Sequence, residues 1–389
     1  MLSKRIQVLS PSLTMAITSL ARDLKAQGRD ILSFSAGEPD FDTPQVVKDA
    51  AIKAIADGFS KYTAVEGTPE VRKAIAGKLK RENNLDYKPS DIVVNVGAKH
   101  SLFNIFQAIL NVGDEVIIPA PYWVTYPEIV KFSDGIPIFI DTDEKSGFKI
   151  TPTQLKNAIT PKTKALLINT PSNPTGSIYS KEELTALAEV LKGTNILVVS
   201  DEMYEKIIFD GKKFTSLASI SEDMFKRTIT VNGLSKSVSM TGWRFGYMAC
   251  PIKEITDAIV DFQGQSTSNI NSITQKAALP ALDGLADNDI EIMRVQFEKR
   301  RNMAYEMLNN IKGLSVLKPE GAFYLYINTK AVENDSVKFC KKLLEEKGVA
   351  VVPGAGFGSE GYFRLSFATD DATIIDGINR IKSFVENYK

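Results

Sequence analysis

Seven short runs of β-branched and aliphatic residues, spaced by helix-length segments, constrain this chain more than any other feature. The runs are Ile92–Val96, Glu115–Ile118, Ile136–Ile140, Ala165–Ile168, Ile196–Ser200, Thr228–Val231 and Phe245–Cys250. Amphipathic stretches lie between most of them. His100–Leu110 gathers Leu102, Phe103, Phe106, Ile109 and Leu110 on one side, at helical spacing. Lys181–Leu191 opens with Ser180 and has Glu183 three residues later, a capping-box pattern. Continuous apolar strands joined by helical crossovers imply a mostly parallel sheet with helices on both faces. The tail changes character: a helical region at about 285–310 precedes Phe323–Ile327 and Tyr362–Phe367, which read as short antiparallel strands. The expected architecture is α/β, with a large domain over 45–285 and a smaller α+β domain from 1–44 and 286–389. There are no repeats and no low-complexity linker.

Composition excludes several classes of function. The 389 residues are 43% hydrophobic and 24% charged, with 47 basic and 47 acidic side chains. A nucleic-acid footprint needs a clustered positive excess, so no nucleic-acid partner is expected. No apolar run approaches the roughly 20 residues that span a bilayer, so no membrane partner is expected either. Lys4, Arg5, Arg22, Pro11 and scattered Ser/Thr argue against a signal peptide. Cys250 and Cys340 offer no disulfide framework and fit a reducing, cytoplasmic compartment. His100 is the only histidine, which argues against a histidine triad or a multi-histidine metal site; no metal is expected. Acid–base chemistry then falls to Lys, Tyr, Asp or Glu.

The stretch Gly233-Leu-Ser-Lys-Ser-Val-Ser-Met-Thr-Gly-Trp-Arg244-Phe-Gly246 carries the chemistry. A lysine becomes a nucleophile when burial and nearby cations depress its pKa. Ser235 and Arg244 suit a phosphate anchor, one hydroxyl donor beside a permanently charged fork. A lysine beside such an anchor points to a phosphorylated aldehyde, and pyridoxal 5'-phosphate held as a Schiff base on Lys236 is the candidate. The same stretch also reads as a surface lysine in a Gly/Ser-rich loop.

Ligand groups gather at the carboxyl ends of strands in such a sheet, and four landmarks fall there. Gly97-Ala98-Lys99 follows Ile92–Val96 and opens a helix, where backbone N–H groups cradle phosphate. Asn173-Pro-Thr-Gly176 follows Ala165–Ile168, Asp201 and Tyr204 follow Ile196–Ser200, and Lys236 follows Thr228–Val231. Taken singly, each has a plainer reading: a turn for Asn-Pro-Thr-Gly, a helix N-cap for Asp201-Glu202, a loop for Gly97-Ala98.

With these motifs the chain resembles the class I aminotransferases of fold type I, and among them the bacterial-type aspartate aminotransferase subgroup, some of whose members also accept prephenate. The likeness runs from Ser33-Phe-Ser-Ala-Gly-Glu-Pro-Asp-Phe-Asp-Thr-Pro44 through Tyr62-Thr-Ala-Val-Glu-Gly-Thr-Pro69 to Phe363-Arg-Leu-Ser-Phe367. It implies that Lys236 binds pyridoxal phosphate and shuttles the proton, and that Asp201 pairs with the pyridine nitrogen. Tyr204 and Asn173 would bond the phenolic oxygen, and Trp123 would stack on the ring, although on residue type alone a core aromatic is the better reading. Gly97, Ala98, Ser235 and Arg244 would hold the phosphate, with Tyr62 reaching the site of a neighbouring subunit in a homodimer. Arg364 would clamp the substrate α-carboxylate beside Gly37. Some relatives have a serine where this chain has Gly233, leaving the contact to Ser235 or leaving the phosphate one hydrogen bond fewer.

The resemblance also bears on substrate. In the subgroup a lysine matching Lys99, assisted by hydroxyls matching Ser12 and Thr14, meets a second carboxylate. Lys99 otherwise reads as a solvated lysine at a helix N-terminus, electrostatically a poor place for a cation. The implied reaction moves the amino group of aspartate to 2-oxoglutarate, with amino acids and 2-oxo acids as the small-molecule partners. Aminotransferases for aromatic amino acids or alanine, and carbon–sulfur β-lyases, share the same core.

Overall fold

The large sheet has seven strands: β1 (Ile92–Val96), β2 (Glu115–Ala120), β3 (Ile136–Asp141), β4 (Thr163–Asn169), β5 (Leu197–Asp201), β6 (Thr228–Gly233) and β7 (Phe245–Ala249). Their order across the sheet is β1-β7-β6-β5-β4-β2-β3. This is a computed structural model describing residues 2–10 and 13–388, without the side chains of 13–15. All neighbouring pairs are parallel except those of β7, which runs antiparallel to both β1 and β6. A strand inserted against the grain returns the chain within 11 residues of β6, too few for a helical crossover. The carboxyl ends of β1, β2, β4, β5 and β6 therefore point the same way.

Alternation along each strand builds a core on both faces. Val93, Val116, Ile118, Leu167, Val199 and Met248 enter one apolar cluster. Their sequence neighbours face the other way, with Ile92 and Val94 in a second cluster and Ile117, Leu166 and Val198 in a third. Each such side chain contributes roughly 1.5–3 kcal/mol when fully buried. That two-sided burial is why the runs read as continuous apolar stretches rather than alternating ones. Ala98–Ile109 lays Leu102, Ile105, Phe106 and Ile109 on this core. The capping box of Lys181–Leu191 is present: the Ser180 hydroxyl accepts from the Glu183 amide at 3.2 Å, and the Glu183 carboxylate accepts from the Ser180 amide at 2.7 Å.

A second sheet has four antiparallel strands in the order Val352–Pro353, Tyr362–Ser366, Tyr324–Asn328 and Ser315–Val316. Its two-residue outer strands are too short for any periodicity to show in sequence. The pair Leu32–Ser33 and Val349–Ala350 runs parallel, and the Ser366 amide donates to the Phe34 carbonyl at 2.9 Å. The early chain is thereby stitched to the late chain. Helix Asp287–Asn309 carries fully buried Arg301, whose guanidinium forks onto Asp210 at 2.8 and 2.9 Å and donates to the Pro319 carbonyl at 2.7 Å.

Candidate active site

Five strand ends converge on one cavity of about 320 Å³. From β1 come Ala98 and Lys99, from beyond β2 Trp123 and Tyr126, and from β4 Asn169 and Asn173. From β5 come Asp201, Met203 and Tyr204, and from β6 Ser235 and Lys236. Thr241 and Arg244 follow on, and the small sheet and the early chain close the far side with Tyr324, Arg364, Ser35 and Gly37.

The cradle at β1 is a backbone device. Gly97 caps helix Ala98–Ile109 at φ +79°; its carbonyl takes the His100 and Ser101 amides and leaves those of Ala98 and Lys99 without intrahelical acceptors. A Cβ on Gly97 would collide with the Arg244 guanidinium, so the missing side chain admits the arginine to the turn. Arg244 itself is in the left-handed region, at φ +57°, and donates to the Thr241 carbonyl at 2.9 Å. His100 accepts from the Val96 amide at 3.2 Å through Nδ1, and burial lowers its pKa. It braces the turn as a neutral ring. At Gly233 a Cβ would lie 2.6 Å from the Phe245 carbonyl oxygen, so the β6–β7 pairing leaves no room for the serine that some relatives carry.

Asp201 is buried at the end of β5. Its Oδ2 accepts from the Tyr126 hydroxyl at 2.7 Å and its Oδ1 from the Met203 amide at 3.2 Å, so it is a strand terminus and not a helix cap. Burial raises its pKa, while Tyr126 and the Met203 amide pull it down. The turn beyond it is fixed from below. Glu205 accepts from Lys78, from Asn83 at 2.7 Å and from Asn232 at 2.7 Å. That network ties the turn bearing Tyr204 to β6, the strand leading to Lys236.

Burial lowers the Lys236 amine to about 8, with Arg364 and Arg244 pushing the same way and Glu38 and Asp201 opposing. The amine donates to the Gly37 carbonyl. A Cβ on Gly37 would stand 2.8 Å from the Tyr324 hydroxyl, which accounts for glycine there. Arg364 is buried on strand Tyr362–Ser366 and donates to Asn173 Oδ1 at 2.9 Å and to the Ser35 carbonyl at 2.8 Å. Its guanidinium lies 4.3 Å from the Tyr324 ring centre and 5.2 Å from that of Phe357. Among the described residues no acid pairs with it, and its Nε has no partner.

Lys99 keeps access to solvent, yet desolvation and Arg244 lower its pKa. Its amine sits 4.8 Å from the centre of the Trp123 ring, whose edge contacts Tyr126. Trp123 thus lines the cavity and is not a core aromatic. The Tyr204 hydroxyl is 2.9 Å from that of Tyr324. Tyr62 is 89% exposed and lies outside this cavity. Ser12 falls outside the described residues, as does the side chain of Thr14, which sits in helix Leu13–Ala26.

Sequence reasoning missed Ser35, Tyr126, Thr241 and Tyr324. Tyr126 follows Trp123 by one helical turn, which is the only local signal it offered; the others arrive through tertiary packing.

Four cations line the cavity (Lys99, Lys236, Arg244 and Arg364) against one acid, Asp201. An amine, a buried carboxylate and a basic amide cradle fit pyridoxal phosphate: aldehyde, ring nitrogen and phosphate each meet a complementary group. The family model for aminotransferases of class I and II matches residues 29–381. The aspartate aminotransferase of Bacillus subtilis is 50% identical over 392 residues, covering 100% of this chain and 99% of that one. The aspartate/prephenate aminotransferase of Nitrosomonas europaea is 47% identical, covering 99% of each. The crystal structure of the Rhizobium meliloti aspartate aminotransferase superimposes with a TM-score of 0.97 at 41% identity, over 100% of both chains. Sequence, fold and donor set agree, and this chain belongs to the class I and II aminotransferases, enzymes dependent on pyridoxal phosphate.

Proposed function

We propose that the enzyme moves the α-amino group of aspartate to 2-oxoglutarate, with prephenate as a further oxo-acid acceptor. The observation that carries this reading is the excess of cations in the cavity: a phosphate and one carboxylate would occupy Arg244 and Arg364, leaving Lys99 for a second carboxylate. The names of the Bacillus and Nitrosomonas relatives agree with it.

Pyridoxal phosphate, when bound, supplies an aldehyde to carry the amino group and a ring that draws electrons from the substrate α-carbon. The chain does the rest. Asp201, whose carboxylate accepts from Tyr126, would hold a proton on the ring nitrogen through charge attraction. Asn173 and Tyr204 would meet the phenolic oxygen, and Trp123 would cover the ring. Gly97, Ala98, Ser235 and Arg244 would hold the phosphate. Arg364, already oriented by Asn173 and Ser35, grips the α-carboxylate without reorganising. Nζ of Lys236, with a lowered pKa, takes and returns the α-proton. Lys99 would meet the distal carboxylate.

We further propose that 45–285 is the cofactor-binding unit, that 1–44 with 286–389 is the smaller one, and that two chains form a homodimer in the cytoplasm with Tyr62 completing the partner's site. The exposure of Tyr62 and the stitching of Leu32–Ser33 to Val349–Ala350 support this.

The test is a half-reaction screen. Purified holoenzyme is mixed singly with amino acids, and the cofactor's visible absorbance is followed. Aspartate and glutamate should bleach it and 2-oxoglutarate should restore it. Bleaching by alanine or phenylalanine in preference to both acids, or release of pyruvate and thiol from cystathionine, would defeat the reading.

A further inference from the structure

Tyr324 belongs to none of the roles above, yet it touches the residues that carry two of them. It is fully buried and begins strand Tyr324–Asn328 of the small sheet. Its hydroxyl lies 2.9 Å from the hydroxyl of Tyr204, which comes from the turn after β5 in the large sheet. Its ring lies 4.3 Å from the guanidinium carbon of Arg364 on the neighbouring strand. The same hydroxyl occupies the space that a side chain at Gly37 would need, and the Gly37 carbonyl accepts from Lys236. Segments from the large sheet, the small sheet and the early chain thus meet at one phenol. A phenylalanine would fill this core position as well, since Phe323 packs against its ring at 4.7 Å between centres and Phe297 packs on Phe323 in turn, neither with a polar group. A buried hydroxyl persists where it has a partner, and that partner is Tyr204.

We propose that Tyr324 is a positioning residue for the transamination site, its hydroxyl fixing the phenol of Tyr204 and its ring fixing the guanidinium of Arg364. One side chain then sets both the group that tunes the cofactor and the group that grips the substrate carboxylate. The two functions are separable on it, hydroxyl for one and ring for the other. The inference rests on the reading of Arg364 as the carboxylate clamp.

The experiment compares Tyr324→Phe and Tyr324→Leu holoenzymes with wild type. Two quantities are read: the midpoint of the pH titration of the bound cofactor's visible absorbance, and Kd for maleate and for hydrocinnamate, carboxylates with no amino group to transfer. Tyr324→Phe should move the midpoint by at least about half a pH unit, because Tyr204 loses its hydrogen-bond partner. Both Kd values should stay within about twofold, because the ring beneath Arg364 remains. Tyr324→Leu should weaken both carboxylates about tenfold, since each uses the same guanidinium. An unmoved midpoint in Tyr324→Phe overturns the hydroxyl's role, and this variant keeps the core volume if the leucine variant fails to fold. Unchanged Kd values in Tyr324→Leu overturn the ring's role. If wild type binds neither carboxylate, Arg364 is not the clamp, and the functional reading falls together with this inference.

Discussion

Lys236 shows what a fold does to an ordinary amine. In the cofactor-free chain its pKa is about 8 against an ordinary 10.5. Below pH 8 the amine is charged in both the folded and unfolded chains, and burying that charge costs about 3 kcal/mol. Between pH 8 and 10.5 only the unfolded chain keeps the proton, so stability rises with pH across that window; above it the penalty is gone. Lys236→Met should therefore stabilise the cofactor-free protein by up to about 3 kcal/mol at pH 7 and by little near pH 10.5. Urea unfolding at both values checks this, and an equal effect at the two would deny the lowered pKa. Lys99 is tested by substrate. If it meets the distal carboxylate, Lys99→Ala forfeits a charge-assisted hydrogen bond of about 1.5–3 kcal/mol. kcat/KM for aspartate should then drop about tenfold or more relative to phenylalanine. Equal losses for both substrates, measured at saturating pyridoxal phosphate, would reduce Lys99 to a part of the phosphate turn.

At the scale of elements, the site depends on strand ends held in register by groups that never touch a ligand. The turn after β5 is pinned by Glu205 to Lys78, Asn83 and Asn232, and helix Asp287–Asn309 is pinned to that turn's continuation by Arg301 and Asp210. Arg301 is fully buried, while Asp210 keeps partial access to water. Arg301→Ala would open a cavity, take the Arg301 donor from the Pro319 carbonyl and leave the Asp210 carboxylate with Lys318 at 3.4 Å. Breaking such a pair costs about 3 kcal/mol. Thermal unfolding of the apo and holo forms should show the loss in both, whereas cofactor affinity at low temperature should change little. A variant as stable as wild type would mean that the fork contributes no net stability. None of these positions was legible in sequence as structural: Arg301, Lys78 and Glu205 look like ordinary surface charges until the chain around them is folded.

At the scale of the molecule, the formal charge is zero while the cavity holds four cations and one acid, so the field that draws anionic substrates is local and not a property of the whole chain. Tyr62 lies at the surface with 89% of its area exposed, a large aromatic facing solvent. In a symmetric dimer with shared sites, each site would pair Lys236 of one chain with Tyr62 of the other. Refolding Lys236→Ala with Tyr62→Phe chains in equal amounts then yields native pairings at about a quarter of the sites, half the dimers carrying one each. Activity above the sum of the two parents is the expected outcome. No gain, or light scattering that shows an active monomer, would remove Tyr62 from the site.

The order of apolar runs and helical spacers by itself determined the α/β class, because a strand buried on both faces and a helix packed on one have different periods that survive in any context. It also determined the place of Asp201, Asn173 and Lys236, since residues just beyond such strands have to emerge at one edge of a parallel sheet. The motifs around Lys236 and Arg364 named the chemistry before any geometry was known. Only the tertiary structure decided the antiparallel direction of β7, for an isolated five-residue run carries no sign of its direction. It alone brought Tyr126 to Asp201, Tyr324 between Tyr204 and Arg364, and Ser35 to the Arg364 guanidinium. Those contacts join segments separated by 75, 120 and 329 residues. No local periodicity reaches so far. It is packing at the junction of two sheets that turns scattered polar residues into partners.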